Sequence, residues 1–80
     1  MTVRVLLFAR YQEMAGSPSI EVEVRPGATL AEVWETVRQR VSGLGDGGPP
    51  LMALDRDYAT PDRVVETGRE VAFFPPVSGG

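Results

Sequence analysis

Histidine, cysteine and lysine are all missing from these 80 residues. Histidine is the side chain that titrates near neutrality, and cysteine and lysine are common covalent nucleophiles. Metal sites built on thiolate or imidazole are excluded with them. Without cysteine there is no disulfide framework, so packing alone must hold the fold. No apolar run approaches a membrane span, and no charged-then-apolar leader opens the sequence. The expected compartment is therefore the cytosol, with no membrane partner. The eight basic residues are all arginine and are scattered, and the net charge is −3. A nucleic-acid partner needs a clustered basic face, so none is expected.

Apolar residues make up 42% of the chain, enough for one small globular domain. "TVRVLLFA" (Thr2 to Ala9) reads as a strand, and its near-continuous apolar half predicts a central position buried on both sides. "RYQEMAGSPS" is a connector with room for one helical turn, ended by Gly16 and Pro18. "IEVEVR" (Ile20 to Arg25) alternates strictly and predicts a half-buried strand paired with the first.

The helix signal comes next. Thr29 stands three residues before Glu32, a capping box in which each side chain satisfies a backbone N–H. Leu30, Val33, Trp34, Val37 and Val41 form one apolar stripe. Gly43 offers a left-handed cap. Trp34 could stack on a ligand, but its place in the stripe predicts core. "LMALD" (Leu51 to Asp55) is a third strand, "RDYATPD" is turn-rich, and "RVV" is a short edge strand or a brief helical turn. "EVAFF" (Glu70 to Phe74) is the last strand. One helix across one face of a small mixed sheet covers these apolar faces. The fold class is α+β, with four to five strands and one main helix. With the first and last strands side by side in the centre, it is the β-grasp arrangement.

Two motifs point elsewhere and are set aside. "GLGDGG" fits G-x-G-x-x-G at Gly43, Gly45 and Gly48, but it leaves a helix and meets Pro49-Pro50, so no helix start is there to hold a phosphate. Asp55, Asp57 and Asp62 lack the glycine bend and closing glutamate of a calcium loop and read as turn formers. No carboxylate pair has surroundings that obviously raise one pKa for acid catalysis. No metal, no bound cofactor and no catalysis by the isolated chain are expected.

The end of the chain carries more. Alternation points Val71 and Phe73 to one face and Ala72 and Phe74 to the other, so one phenylalanine is expected to be exposed. Pro75 and Pro76 stop the strand and stiffen the root of the chain end. Residues 1–76 then form the domain and 77–80 an extended tail, and Pro75 to Gly80 reach at most roughly 20 Å. Gly79 and Gly80 have no Cβ, a shape that suits entry into a narrow pocket of another protein. The group so delivered is the Gly80 α-carboxylate, which a partner would have to activate with ATP. The bland alternative is an ordinary chain end.

"VLLFARY" near the start and "GREVAFFPPVSGG" at the end resemble the small, sulfur-carrying subunit of molybdopterin synthase, over essentially the whole chain in length and element order. Where that family usually shows Val-Asn after the third strand, this chain has Leu54-Asp55, which leaves the local turn open. The resemblance implies a carrier cycle. An adenylating enzyme of the ubiquitin-activating type spends ATP on Gly80, and a sulfur donor protein converts the adenylate to a thiocarboxylate. The tail (Pro75, Pro76, Val77, Ser78, Gly79, Gly80) enters the large synthase subunit, and sulfur passes to a pterin precursor of the molybdenum cofactor. Partner-facing residues carried over by position are Phe8, Tyr58 and Phe74, each with a core alternative, Phe8 above all. A sulfur carrier for thiamine or tRNA thiolation, a ubiquitin-like modifier and a plain interaction module are the competing readings.

Overall fold

The computed structural model describes residues 1–76. Five strands and two helices run in the order β1 (Thr2–Leu7), α1 (Arg10–Ala15), β2 (Ser19–Glu23), α2 (Leu30–Arg40), β3 (Leu51–Leu54), β4 (Asp57–Tyr58) and β5 (Glu70–Phe74). The strands form one sheet in the order β2-β1-β5-β3-β4. β1 and β5 are parallel neighbours, and every other pairing is antiparallel. The first and last strands therefore lie together inside the sheet, the β-grasp arrangement.

Helix α2 starts where its capping residue places it. The Glu32 backbone N–H donates to Thr29 Oγ1 at 3.3 Å. Thr29 Oγ1 in turn donates to the Glu32 carboxylate at 3.4 Å. The same carboxylate takes a two-pronged contact from Arg25 at 2.8 and 2.6 Å, fastening the end of the β2 arm to the helix. Leu30, Val33, Trp34, Val37 and Val41 are all buried, as their spacing predicts. The helix gives way at Val41, and the left-handed residue Gly43 (φ 78) lies two positions beyond that cap.

The core fills the space between α2 and one sheet face. Val3, Val5 and Leu7 of β1 meet Val71 and Phe73 of β5 and Met52 and Leu54 of β3. Trp34 packs edge-on against Phe73 at 4.9 Å, and Tyr11 of α1 lies 5.3 Å from Trp34. Trp34 is thus a core residue. Leu44 and Val65, both in loops, are 1% exposed and plug the ends of the core. The Tyr11 hydroxyl is buried with no hydrogen-bond partner among the described residues. Burial raises its pKa, and the Arg10 guanidinium over its ring offsets part of that rise.

Three expectations need correction. β1 is not buried on both sides: it alternates, with Val3, Val5 and Leu7 inward and Thr2 and Arg4 exposed, because a single helix layer covers a single face. "RVV" makes neither an edge strand of the sheet nor a helical turn. Val64 bridges Thr29, and the neighbouring backbone laces Arg63 O to Leu30 N and Val65 N to Ala28 O. The edge strand is instead β4, inside the turn-rich segment. Asp55 and Arg56 make the two-residue connection into it with φ of 50° and 73°, a hairpin turn built without glycine.

The opposite edge is blunted. Ser17 Oγ both donates to Ser19 O at 2.8 Å and accepts from Ser19 N at 3.4 Å, while Arg40 reaches from the last turn of α2 to Glu21 O. Occupied backbone groups leave less of β2 open to strand addition. No helix among the described residues is long and apolar enough to cross a membrane.

Candidate functional site

Among the described residues, no helix lies on the sheet face away from α2. Strict alternation decides which side chains it carries. Leu6 of β1, Ala72 of β5, Ala53 of β3 and Tyr58 of β4 stand in one row across four strands. Next to them, toward the end of β5, come Phe8, Phe74 and Leu51. Leu51 is in register with Phe74. The two alanines are the low point of the row, and larger side chains rise around them. The result is an open trough of about 560 Å³ whose lining includes Leu6, Phe8, Ala53, Tyr58, Ala72 and Phe74.

The three aromatic residues nominated from the sequence come together here. Phe8 stacks on Phe74 with ring centroids 4.4 Å apart and planes inclined by 14°. Tyr58 leans toward Phe74 at 6.2 Å. Phe8 is 38% exposed and Tyr58 77% exposed, while Phe74 is half-buried between them. The core alternative therefore fails for Phe8. The left-handed φ of Ala9 (51°) turns the chain sharply out of β1 into α1 immediately after it, leaving the Phe8 ring on the open face. Of the pair at the end of β5, Phe73 is fully buried and Phe74 is not.

The far end of the trough is charged. Arg4 stands opposite Glu70 on β5 and Glu21 on β2, and Arg56 comes from the hairpin turn. Asp55 ties that hairpin to the head of β5. Its N–H donates to Glu70 O at 2.8 Å, its Oδ1 accepts from Glu70 N at 2.8 Å, and its Oδ2 accepts from Arg69 Nη1 at 2.6 Å. The Glu70 N–H, and after it the Arg69 guanidinium, hold the Asp55 carboxyl below its ordinary pKa.

Sequence reasoning missed Leu51, Arg4, Arg56 and Asp55 as neighbours of the trough. Alternation along β1 and β3 was the available signal for the first two. Of the hairpin residues, Asp55 was legible as a turn former, but nothing marked Arg56 or the partners that Asp55 takes.

The trough presents apolar and aromatic surface with charge at one end, and no convergent set of polar groups. Such a surface suits docking of another protein more than chemistry on a small molecule. Among the described residues, no group of three or more His, Cys, Asp or Glu side chains could hold a metal ion. Pro75 and Pro76 leave β5 beside the Phe8–Phe74 stack, both half-buried. Val77, Ser78, Gly79 and Gly80 lie outside the described residues.

Comparison with known proteins places this geometry. A family model described as the ThiS family matches residues 5–80. The chain belongs to the ThiS family. Among similar members, the molybdopterin synthase sulfur carrier subunit of Escherichia coli is 34% identical, with 98% of this chain and 99% of that protein covered. Among solved structures, the putative molybdopterin converting factor, subunit 1, of Pyrococcus furiosus superposes with a TM-score of 0.85 at 26% identity, covering 96% of this chain and 99% of the other. The H. volcanii small archaeal modifier protein 1 superposes with a TM-score of 0.76 at 26% identity, covering 95% and 98%. This member of the ThiS family thus shares its β-grasp body with named sulfur carriers and with a named modifier.

Proposed function

We propose that this chain is the sulfur carrier of a molybdopterin synthase. Gly80 is adenylated at its α-carboxylate by a ubiquitin-activating-type enzyme that consumes ATP, and a sulfur donor protein converts it to a thiocarboxylate. The large synthase subunit then receives the tail (Pro75 to Gly80), and sulfur passes to a pterin precursor. The chain itself binds no cofactor and supplies no side-chain nucleophile. Its chemistry is that of a cytoplasmic protein whose activated end is handled by others.

The observation that carries this reading is the exit of β5 beside the aromatic trough. Phe8, Tyr58 and Phe74 form a docking patch at the point where Pro75 and Pro76 lead toward Gly80. A partner gripping that patch has the tail root at hand. Names borne by relatives over nearly the whole chain support the same reading. It requires Gly80 to carry a free carboxylate in the working protein.

Reconstitution with the activating enzyme, a sulfur donor and the large subunit tests it. Removing Gly80 is expected to abolish sulfur transfer while circular dichroism and the thermal midpoint stay those of the intact chain. A truncated chain that still transfers sulfur would refute the proposal.

One observation favours a second reading, the superposition on the archaeal modifier protein. A modifier ends in amide bonds to many target proteins. Affinity capture of a tagged chain from cells separates the two readings, because covalent adducts on numerous targets belong to the modifier.

A further inference from the structure

We infer that Asp55 is a positioning residue for docking, holding the β3–β4 hairpin so that the Tyr58 ring stands beside Phe74 before any partner arrives. The inference rests on the docking patch proposed above. Four facts converge on this residue. It takes the first left-handed position of the hairpin turn. Its backbone N–H and its carboxylate together bracket both backbone polar groups of Glu70, the first residue of β5. The carboxylate also holds Arg69, one residue earlier. Finally, the hairpin it anchors carries Tyr58, which is 77% exposed and has little packing of its own to fix it.

β4 is two residues long and lies at the sheet edge, so its ladder is a weak restraint. A ring on so short an edge strand would otherwise sample many positions, and a partner would have to order it on binding. Asp55 removes that cost in the free protein. The carboxylate thus joins the hairpin to the head of β5, the strand that leads to the tail root. Phe74 sits four residues along β5 from the Glu70 backbone that Asp55 grips.

Substitutions at residue 55 separate the carboxylate from the backbone. Asp55→Gly keeps the left-handed conformation at no steric cost and removes both carboxylate contacts. Asp55→Asn keeps an acceptor for the Glu70 N–H and tolerates the same backbone, losing the charge toward Arg69. Affinity would be measured for the purified molybdopterin synthase large subunit of the same organism, and the Tyr58–Phe74 proximity by ring-to-ring NOE in the free chain. Asp55→Gly is expected to raise Kd about tenfold and Asp55→Asn less than about threefold. The NOE should vanish in the first and persist in the second. In a Tyr58→Ala background, Asp55→Gly should cost less than about twofold more, since residues acting through one another are not additive.

A surviving Tyr58–Phe74 NOE in Asp55→Gly, or a full tenfold loss in the Tyr58→Ala background, would overturn the inference alone. Undiminished binding by Phe74→Ala would overturn the docking reading, and this inference with it. Asp55→Asn loses the charge and one acceptor oxygen but keeps the Glu70 N–H contact, so an equal loss of affinity from both substitutions, with the Tyr58–Phe74 NOE kept in Asp55→Asn, would mean that the effect does not run through the ring and would refute the positioning role.

Discussion

The two faces of the sheet are built from the same strands and differ in what covers them. On one, Val3, Val5, Leu7, Val71 and Phe73 lie under α2 and are almost wholly buried. On the other, Leu6, Phe8, Tyr58 and Phe74 stand around two buried alanines, Ala53 and Ala72, with no helix over them among the described residues. A sheet that needed only to fold would place polar side chains on its uncovered face. It does so on β2, where Glu21 and Glu23 are exposed. It does not do so around the end of β5. Stability accounts for the first face, and the second is the one that the proposed partner would cover.

Neighbouring phenylalanines give the sharpest way to break this comparison. Phe73→Ala removes a fully buried ring packed on Trp34 and is expected to destabilise the domain by about 3–5 kcal/mol, a large share of the stability of so small a domain. Chemical denaturation measures it. Phe74→Ala, one residue on, is expected to lose about 2 kcal/mol of affinity for the large synthase subunit and less than about 1 kcal/mol of stability. Calorimetric titration beside the same denaturation series checks both numbers. Equal stability losses at the two positions would erase the distinction between the faces.

A smaller effect lies inside the covered layer. Tyr11→Phe deletes a buried hydroxyl that has only the Arg10 guanidinium near it among the described residues, and is expected to change stability by no more than about 1 kcal/mol, upward if that contact is too poor to offset the burial. Thermal melting of the variant decides the matter. A loss of stability would mean that the hydroxyl is bonded in solution.

The smallest effect concerns the exposed carboxylates that stitch the perimeter. Asp55, Glu32 and Glu35 all have folded pKa values below their ordinary ones, through the Glu70 N–H and Arg69, through Arg25 and through Arg38 respectively. A depressed carboxyl pKa adds stability above the unfolded value and loses it as pH falls through the folded one. The thermal midpoint should therefore be flat near neutrality and drop as pH goes below about 4. These groups are exposed, so the change is modest and shrinks in salt. A midpoint that rose in acid would contradict the assignment.

Much of this architecture is legible in the residues. The Thr29 cap, the apolar stripe of α2 and the alternation of β2 rest on local periodicity, which needs no tertiary partner. Alternation and a single helix layer bury Phe73 fully and leave Phe74 half-buried, short of the exposure expected for it. β1 misleads for a physical reason: Leu6 and Phe8 are apolar on the face that no helix covers among the described residues, and composition cannot tell such a side chain from one in the core. Asp55 reads as a turn former, but the hairpin's place in the sheet is illegible, because Asp55 is held by contacts with Arg69 and Glu70, 14 and 15 positions away. Leu44 and Val65 are likewise lost among loop residues, where no period marks a core anchor.

The central claim is that the body serves as a grip and the reactive atoms are those of the terminal carboxylate. Intact-mass analysis of the native protein, taken from cells that are making molybdenum cofactor, tests it most directly. The account predicts a fraction carrying one oxygen replaced by sulfur, with the replacement mapped to Gly80 by fragmentation. A chain found wholly with an unmodified carboxylate, or extending past Gly80 without processing, would contradict it.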